Sequence, residues 1–196
     1  MPPAYPFALT LASASRGRRY LLERAGYTFD VRPADVDEPT AARYGSCRQY
    51  VSEVCWLKAA AVAPHIADGI AIAADSVAWL DGTVIGKPDD VRDAERILRR
   101  LSGTVHELWT GVCLWRVRDG LQLCFQEVSR LEMKPLTEEE LAGYLASNRW
   151  VGCSGAYTID ELSDPFLKVI EGSLSNVIGL PMESLALALD RMARLE

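Results

Sequence analysis

The apolar positions of this chain change period several times, and each change marks an element. Phe7–Ala12 is a short apolar run, the pattern of a buried strand. From Arg18 to Ala25 the spacing lengthens. Leu21, Leu22 and Ala25 fall on one side and Gly26 follows, which predicts a helix and its stop. In "YTFDVRP", Tyr27, Phe29 and Val31 alternate with polar residues, a half-buried strand. Residues 47–63 return to helical spacing through Val51, Val54, Cys55, Ala61 and Val62. "IAIAADSVAW" reads as a buried strand, and Asp81-Gly82 turns the chain into "TVIG".

The second half continues the alternation. Asp89 or Asp90 is placed to cap a helix carrying Val91, Ala94, Ile97, Leu98 and Leu101, with Gly103 as its stop. Residues 105–118 and 121–133 predict two long strands joined at Asp119-Gly120. Thr137 with Glu140 forms a capping box for a helix running to about Ser147. After an irregular stretch come "PFLKVI" and "NVIG", and Pro181 then opens a last helix with Leu185, Leu189 and Met192 inward. Strands and helices interleaved with hairpins predict an α/β fold with a mixed sheet. No repeat, low-complexity tract or long linker divides residues 1–196, so a single domain is expected.

Composition narrows the function. With 49% hydrophobic residues in 196, the chain can build a real core. Its formal net charge of −6 argues against a nucleic-acid or anionic-membrane surface, so any anion site must be local. The five cysteines include no C-x-x-C pair, and with only two histidines a zinc site fits poorly. Reduced thiols in a cytoplasmic protein are the economical expectation. "MPPAYPFALTLA" has no positive charge before its short apolar part, so neither a signal peptide nor a membrane span is expected.

The local anion site has an obvious candidate in "LTLASASRGRRYLLERAG". A helix start offers unpaired N–H groups, Ser13 and Ser15 add hydroxyls, and Arg18 adds a guanidinium fork suited to phosphate. Equally, Ser15 could be an ordinary N-cap and the arginines a solvated face. No Walker loop is present. Lys58 lies on the apolar stripe of its helix, where it either snorkels outward or enters a polar cleft; taken alone, snorkelling is favoured. Asp75 interrupts a strand of Ala, Ile and Val, a costly place for a carboxylate without a partner or a task. Lys87, between Gly86 and Pro88, is undistinguished by itself. "DVDE" (Asp35, Asp37, Glu38) could hold a hard divalent cation or be a solvated acidic loop, the commoner case. As a set, these groups suit metal-assisted phosphoryl or nucleotidyl hydrolysis.

The segments "LASASRGRRYLLERAG", "DVDE", "LKAAAVA", "AADSV…DGTVIGKP", "AERILRRLSGTVHELWTGV", "SGAYTID" and "IEGSLSNVIGLP", in this order, resemble the Maf family of nucleoside triphosphate pyrophosphatases. The resemblance implies a mixed twisted sheet flanked by helices, with two lobes around a central cleft, the Maf/ITPase-like arrangement. It implies hydrolysis of a nucleoside triphosphate to monophosphate and pyrophosphate, with Mg2+ or Mn2+, clearing modified or non-canonical nucleotides. Asp75 would accept the proton of the attacking water and, with Glu38, bind the metal. Ser13, Ser15, Arg18, Lys58 and Lys87 would hold the triphosphate. A homodimer is compatible with it.

Gly17, Ser76 and Asp160 stand at the family's specificity positions. The family's usual opening is S-x-S-P-R-R, whereas here Arg16 and Gly17 replace Pro and the first Arg. The branch acting on thymidine and uridine triphosphates carries A-D-T and a Tyr-Gly-Ile-Gln run, against Ala74-Asp75-Ser76 and Tyr157-Thr158-Ile159-Asp160 here. A carboxylate only accepts hydrogen bonds, so Asp160 suits the adjacent N–H donors of guanine. Gly17 would leave room nearby. The expectation is a guanine-type triphosphate, 7-methylated forms included, over uridine or thymidine triphosphate. The rival readings are a nucleotide-binding regulator with incidental hydrolysis, which has no need of Asp75, and a Schiff-base enzyme using Lys58.

Overall fold

The computed structural model describes residues 5–159 and 164–195, apart from the side chain of residue 42. Seven strands form one mixed sheet: β1 (Leu9–Leu11), β2 (Asp30–Val31), β3 (Ile70–Leu80), β4 (Thr83–Ile85), β5 (Val105–Arg116), β6 (Leu121–Met133) and β7 (Leu167–Glu171). The order is β2-β1-β3-β5-β6-β7, with β4 also on β3. β1 runs parallel to β2 and β3, and the other pairings are antiparallel. Six helices accompany them: α1 (Arg16–Arg24), α2 (Cys47–Val62), α3 (Val91–Leu101), α4 (Glu138–Ala146), α5 (Leu174–Ile178) and α6 (Met182–Arg194).

Local chemistry explains most boundaries. Asp90 accepts from the Asp93 N–H at 2.8 Å and caps α3. Thr137 and Glu140 close the expected capping box on α4. Leu185, Leu189 and Met192 of α6 are fully buried, as their spacing predicts. Two expectations change. Helix α1 begins at Arg16 rather than Arg18, because the Ser15 hydroxyl caps it by accepting from the Arg18 N–H. The strand expected over "YTFDVRP" shortens to Asp30–Val31, while Tyr27 and Phe29 pack beside the β1 core. "PFLKVI" gives β7, and "NVIG" lies in α5 and its Gly179 cap.

Strands β3 and β5 are the spine, paired from Ile70↔Arg116 to Trp79↔Glu107. On one face the apolar residues form two cores rather than one. Ile70, Ile72, Ala74, Val112 and Leu114 pack with α1 and α6. Ala78, Leu80 and Leu108 pack with α3 and α4. Between them the same face carries Ser76 and Thr110, directly opposite each other. The two expected lobes are these two cores, and a polar layer separates them.

The other face lies under α2. There Gly111 is indispensable, because a Cβ would stand 2.3 Å from the Val51 carbonyl oxygen of α2. Gly111 pairs with Asp75. Residues directly opposite on antiparallel strands share a face. The bare position therefore brings α2 down on the sheet beside the Asp75 side chain.

Along its outer edge β3 has a gap. β1 pairs with residues Ile70, Ala71 and Ile72, and β4 with Ala78, Trp79 and Leu80. Residues 73–77 have no described strand on that side. Side chains from both faces can meet at such an edge, just beyond the carboxyl end of the parallel strand β1, where open α/β sheets place their ligands.

Two outcomes test this packing. Gly111→Ala overpacks the α2 contact and should cost about 1–3 kcal/mol in urea denaturation; a shift under about 0.5 kcal/mol, the range of neutral surface changes, would refute the close approach. His106 is buried, with Nε2 3.0 Å from the Tyr157 hydroxyl and no partner for Nδ1 among the described residues. Burial pushes its pKa from 6.5 down to about 4. The unfolded chain takes up a proton that the folded chain refuses, so stability present above pH 6.5 falls as pH drops toward about 4. The loss should be on the order of 3 kcal/mol, and His106→Gln should flatten that part of the stability–pH curve.

Candidate active site

Most of the residues expected to carry chemistry gather at the β3 gap. Ser13 lies just past β1. Its oxygen accepts from the Ser15 N–H at 3.2 Å and from Arg18 Nη1 at 3.0 Å, which leaves its own hydrogen to donate. Ser15 is occupied as the α1 cap. Of the three arginines, Arg16 and Arg19 face solvent and only Arg18 turns inward, nine-tenths buried.

Arg18 is held on several sides. Nε donates to the Gly179 carbonyl at 2.8 Å, Nη1 to Ser13, and Nη2 to Ser76 Oγ at 3.2 Å. These bonds use three of the five guanidinium N–H groups and leave two for a ligand. Arg18 has no carboxylate within ion-pair distance among the described residues. Burial pushes its pKa down from the usual arginine value, while the charges of Asp75 and Glu38 push it back up. Arginine stays protonated under such pressure, so this is a buried cation whose described partners are all neutral.

On the α2 side, Lys58 overturns its isolated reading. It does not snorkel. Its Nζ lies 2.7 Å from Glu38 Oε1 and 2.7 Å from Asp75 Oδ1, with only 11% of the side chain exposed. Gly111 allows this by letting α2 sit on the sheet. Asp75 itself is 5% exposed, and its Oδ2 is buried without a hydrogen-bond partner among the described residues. A buried carboxylate oxygen left unpaired is costly, and such an oxygen in a strand gap is a candidate for chemistry.

Glu38, its side chain still 37% exposed, is the acid of "DVDE" that pairs with Lys58. Burial opposes its ionisation, but the Lys58 hydrogen bond and charge, aided by Lys87 and Arg18, outweigh it and hold the carboxyl below its ordinary range. Asp35 and Asp37 stay exposed. Lys87 is exposed in the loop after β4 and makes no ion pair among the described residues, yet its charge reaches Glu38. The site thus combines three cations with two carboxylates, and no group of three or more His, Cys, Asp and Glu among the described residues could hold a metal alone.

The specificity positions fare differently. Ser76 joins the site through Arg18. Gly17 does not open space: a Cβ there would lie 2.8 Å from the Ile178 carbonyl oxygen, so its missing side chain serves the contact of α1 with α5. The expectation that Gly17 leaves room for a base is corrected accordingly. Asp160 lies outside the described residues. Sequence reasoning overlooked Thr110, whose hydroxyl sits between apolar Leu108 and Val112 on one strand face. That interruption was the available signal.

Comparison with known proteins agrees with this constellation. A family model described as Maf-like protein matches residues 8–192. The chain belongs to the Maf-like family. It is 44% identical to the dTTP/UTP pyrophosphatase of Rhodopirellula baltica over 183 residues, 92% of this chain and 80% of that protein. It is 38% identical to the dTTP/UTP pyrophosphatase of Pelotomaculum thermopropionicum over 178 residues, 91% and 93% of the two chains. With the nucleoside triphosphate pyrophosphatase of Synechococcus sp. (strain JA-2-3B'a(2-13)), identity is 35% over 175 residues, 89% and 88%. Family membership accounts for the mixed sheet and its flanking helices. No described helix is long and apolar enough to cross a membrane, and all five cysteines are free thiols.

The Lys58 bridge yields a direct expectation. Lys58→Met removes the hydrogen bond and charge at Glu38, so the Glu38 carboxyl should titrate higher than in the wild type when followed by carbon-detected NMR. A lowered folded pKa contributes stability that is complete above 4.5 and lost as pH falls through the lowered value. The variant should therefore lose less stability on acidification. An unmoved Glu38 titration would break the assignment.

Proposed function

We propose that this Maf-like chain hydrolyses nucleoside triphosphates to monophosphate and pyrophosphate. The observation carrying the proposal is the buried Asp75 oxygen at the strand gap, without a partner among the described residues, with Lys58 on the other oxygen, Arg18 within reach of its charge and Lys87 acting on the neighbouring Glu38. The names of the relatives point the same way.

In this reading the spare N–H groups of Arg18, the Ser13 hydroxyl and the ammonium groups of Lys58 and Lys87 neutralise and orient the phosphates. Asp75 holds a water with its free oxygen and takes the proton as that water attacks the α-phosphorus. The β- and γ-phosphates then leave together, their growing charge met by the same cations. Ser15 contributes by starting α1 where its N–H groups and Arg18 face the cleft.

The donor set also fits a divalent cation. Glu38 and Asp75 each give one oxygen to Lys58 Nζ, and the second Asp75 oxygen has no partner among the described residues, so the two carboxylates could serve an oxygen-loving ion such as Mg2+ or Mn2+ that takes its other ligands from water and substrate phosphate. Bound there, it would add charge neutralisation at the phosphates.

For the base, thymidine and uridine triphosphates are the better supported substrates. The relatives named for them align over most of the chain, and the room once expected at Gly17 is filled by α5. The carboxylate at Asp160 favours a guanine-type base and makes that the second candidate. A regulator without turnover would not require a buried free oxygen on Asp75. Schiff-base chemistry needs a free amine in an apolar pocket, whereas Lys58 is engaged by two carboxylates.

The test is a panel of uridine, thymidine, guanosine, 7-methylguanosine and non-canonical purine triphosphates with magnesium or manganese. Monophosphate plus pyrophosphate is expected, and diphosphate plus orthophosphate excludes attack at the α-phosphorus. Asp75→Asn should lower turnover by roughly 10²–10⁴-fold. Binding without turnover across the panel would favour the regulator.

A further inference from the structure

Arg18 does not reach the polar layer alone. Its Nη2 donates to Ser76 Oγ at 3.2 Å, Ser76 Oγ lies 2.9 Å from Thr110 Oγ1, and Thr110 Oγ1 donates to the Asn176 carbonyl at 3.4 Å. The two ends fix the direction of the chain. A guanidinium only donates, so Ser76 oxygen accepts from it. With the Thr110 hydrogen given to the Asn176 carbonyl, Ser76 donates to Thr110. Both hydroxyls then point one way, from Arg18 along one face of the sheet to α5.

The far end is firm. Thr110 and Asn176 are completely buried, and the Asn176 side-chain amide donates to Ser129 Oγ at 2.9 Å and to the Leu108 carbonyl at 3.4 Å. The other anchor of Arg18, the Gly179 carbonyl, closes the same short helix. One element therefore fixes the guanidinium twice, directly through Nε and indirectly through two hydroxyls. We propose that Thr110 is a positioning residue for phosphate recognition: it orients Ser76, and through Ser76 it aims the two unused N–H groups of Arg18 into the cleft. This deepens the triphosphate reading of the site and rests on it.

The experiment measures binding of inorganic tripolyphosphate by calorimetry, alongside pyrophosphate release from the preferred triphosphate. Thr110→Val keeps the shape and removes the hydroxyl. It should weaken tripolyphosphate binding and lower kcat/KM by roughly two- to tenfold, the net worth of one hydrogen bond. Thr110→Ser, which retains the hydroxyl, should restore both. In an Arg18→Lys background, where the fork to Ser76 is already gone, Thr110→Val should have no further effect.

Unchanged binding in Thr110→Val overturns the proposal, as does an equal loss in the Arg18→Lys background, since either removes the dependence on Arg18. If Thr110→Val does not fold, Ser76→Ala opens the same chain one step nearer the guanidinium, and unchanged binding there overturns it. A wild type that binds tripolyphosphate but releases no pyrophosphate refutes the hydrolytic reading while the binding cycle still judges Thr110. A wild type that does not bind tripolyphosphate refutes both.

Discussion

The structure turns on keeping one carboxylate inside an otherwise apolar strand. Asp75 can be buried only because Lys58 reaches it, and Lys58 reaches it only because α2 rests against the sheet at Gly111. A buried charge pair is weak evidence for stability, since desolvation can cancel the attraction. Here the pair leaves an Asp75 oxygen unpaired, and it leans on Glu38, which stands at the cleft mouth. That is the economy of a site held for a ligand rather than of a core optimised for stability.

The two faces of β3 divide the work. Odd positions bring Asp75 to α2 and the carboxylate–lysine group. Even positions bring Ser76 to Thr110 and Arg18. The faces would be separated by the sheet itself if β3 were paired along its whole outer edge. Because the pairing of β1 stops at Ile72 and that of β4 reaches no further than Ala78, the central residues stay open and both sets can converge on one ligand. The polar layer also explains why the apolar residues of the same strands fall into two cores. Hydroxyls and a guanidinium between them need partners, and they find them in each other and in α5.

Family and geometry weigh differently on substrate and chemistry. The phosphate-facing groups are assembled by short, local devices: a cap at Ser15, a strand end at Ser13, a bare residue at Gly111. The expectation for the base drew on Gly17, whose role changes once Ile178 is seen against it. A glycine read as open space was in fact a contact surface between two helices.

Periodicity, caps and turn residues lie within a few neighbours of one another, and the sequence by itself therefore determined the helices other than α5, the long hairpin of β5 and β6, the capping box at Thr137 and the inward face of α6. Asp75 was equally legible, because a charge in an apolar strand is an anomaly on its own line of sequence. Lys58 was not, since snorkelling and insertion share the same helical position and differ only in what stands opposite. Nor were the anchors that hold Arg18 inward, the filling of space at Gly17, or the chain through Thr110 to Asn176. Those were decided by tertiary structure, for each depends on an atom contributed by a distant segment: Asp75 for Lys58, Gly179 for Arg18, Ile178 for Gly17. Close packing and the need to satisfy buried donors select among local options that the sequence leaves equal in energy.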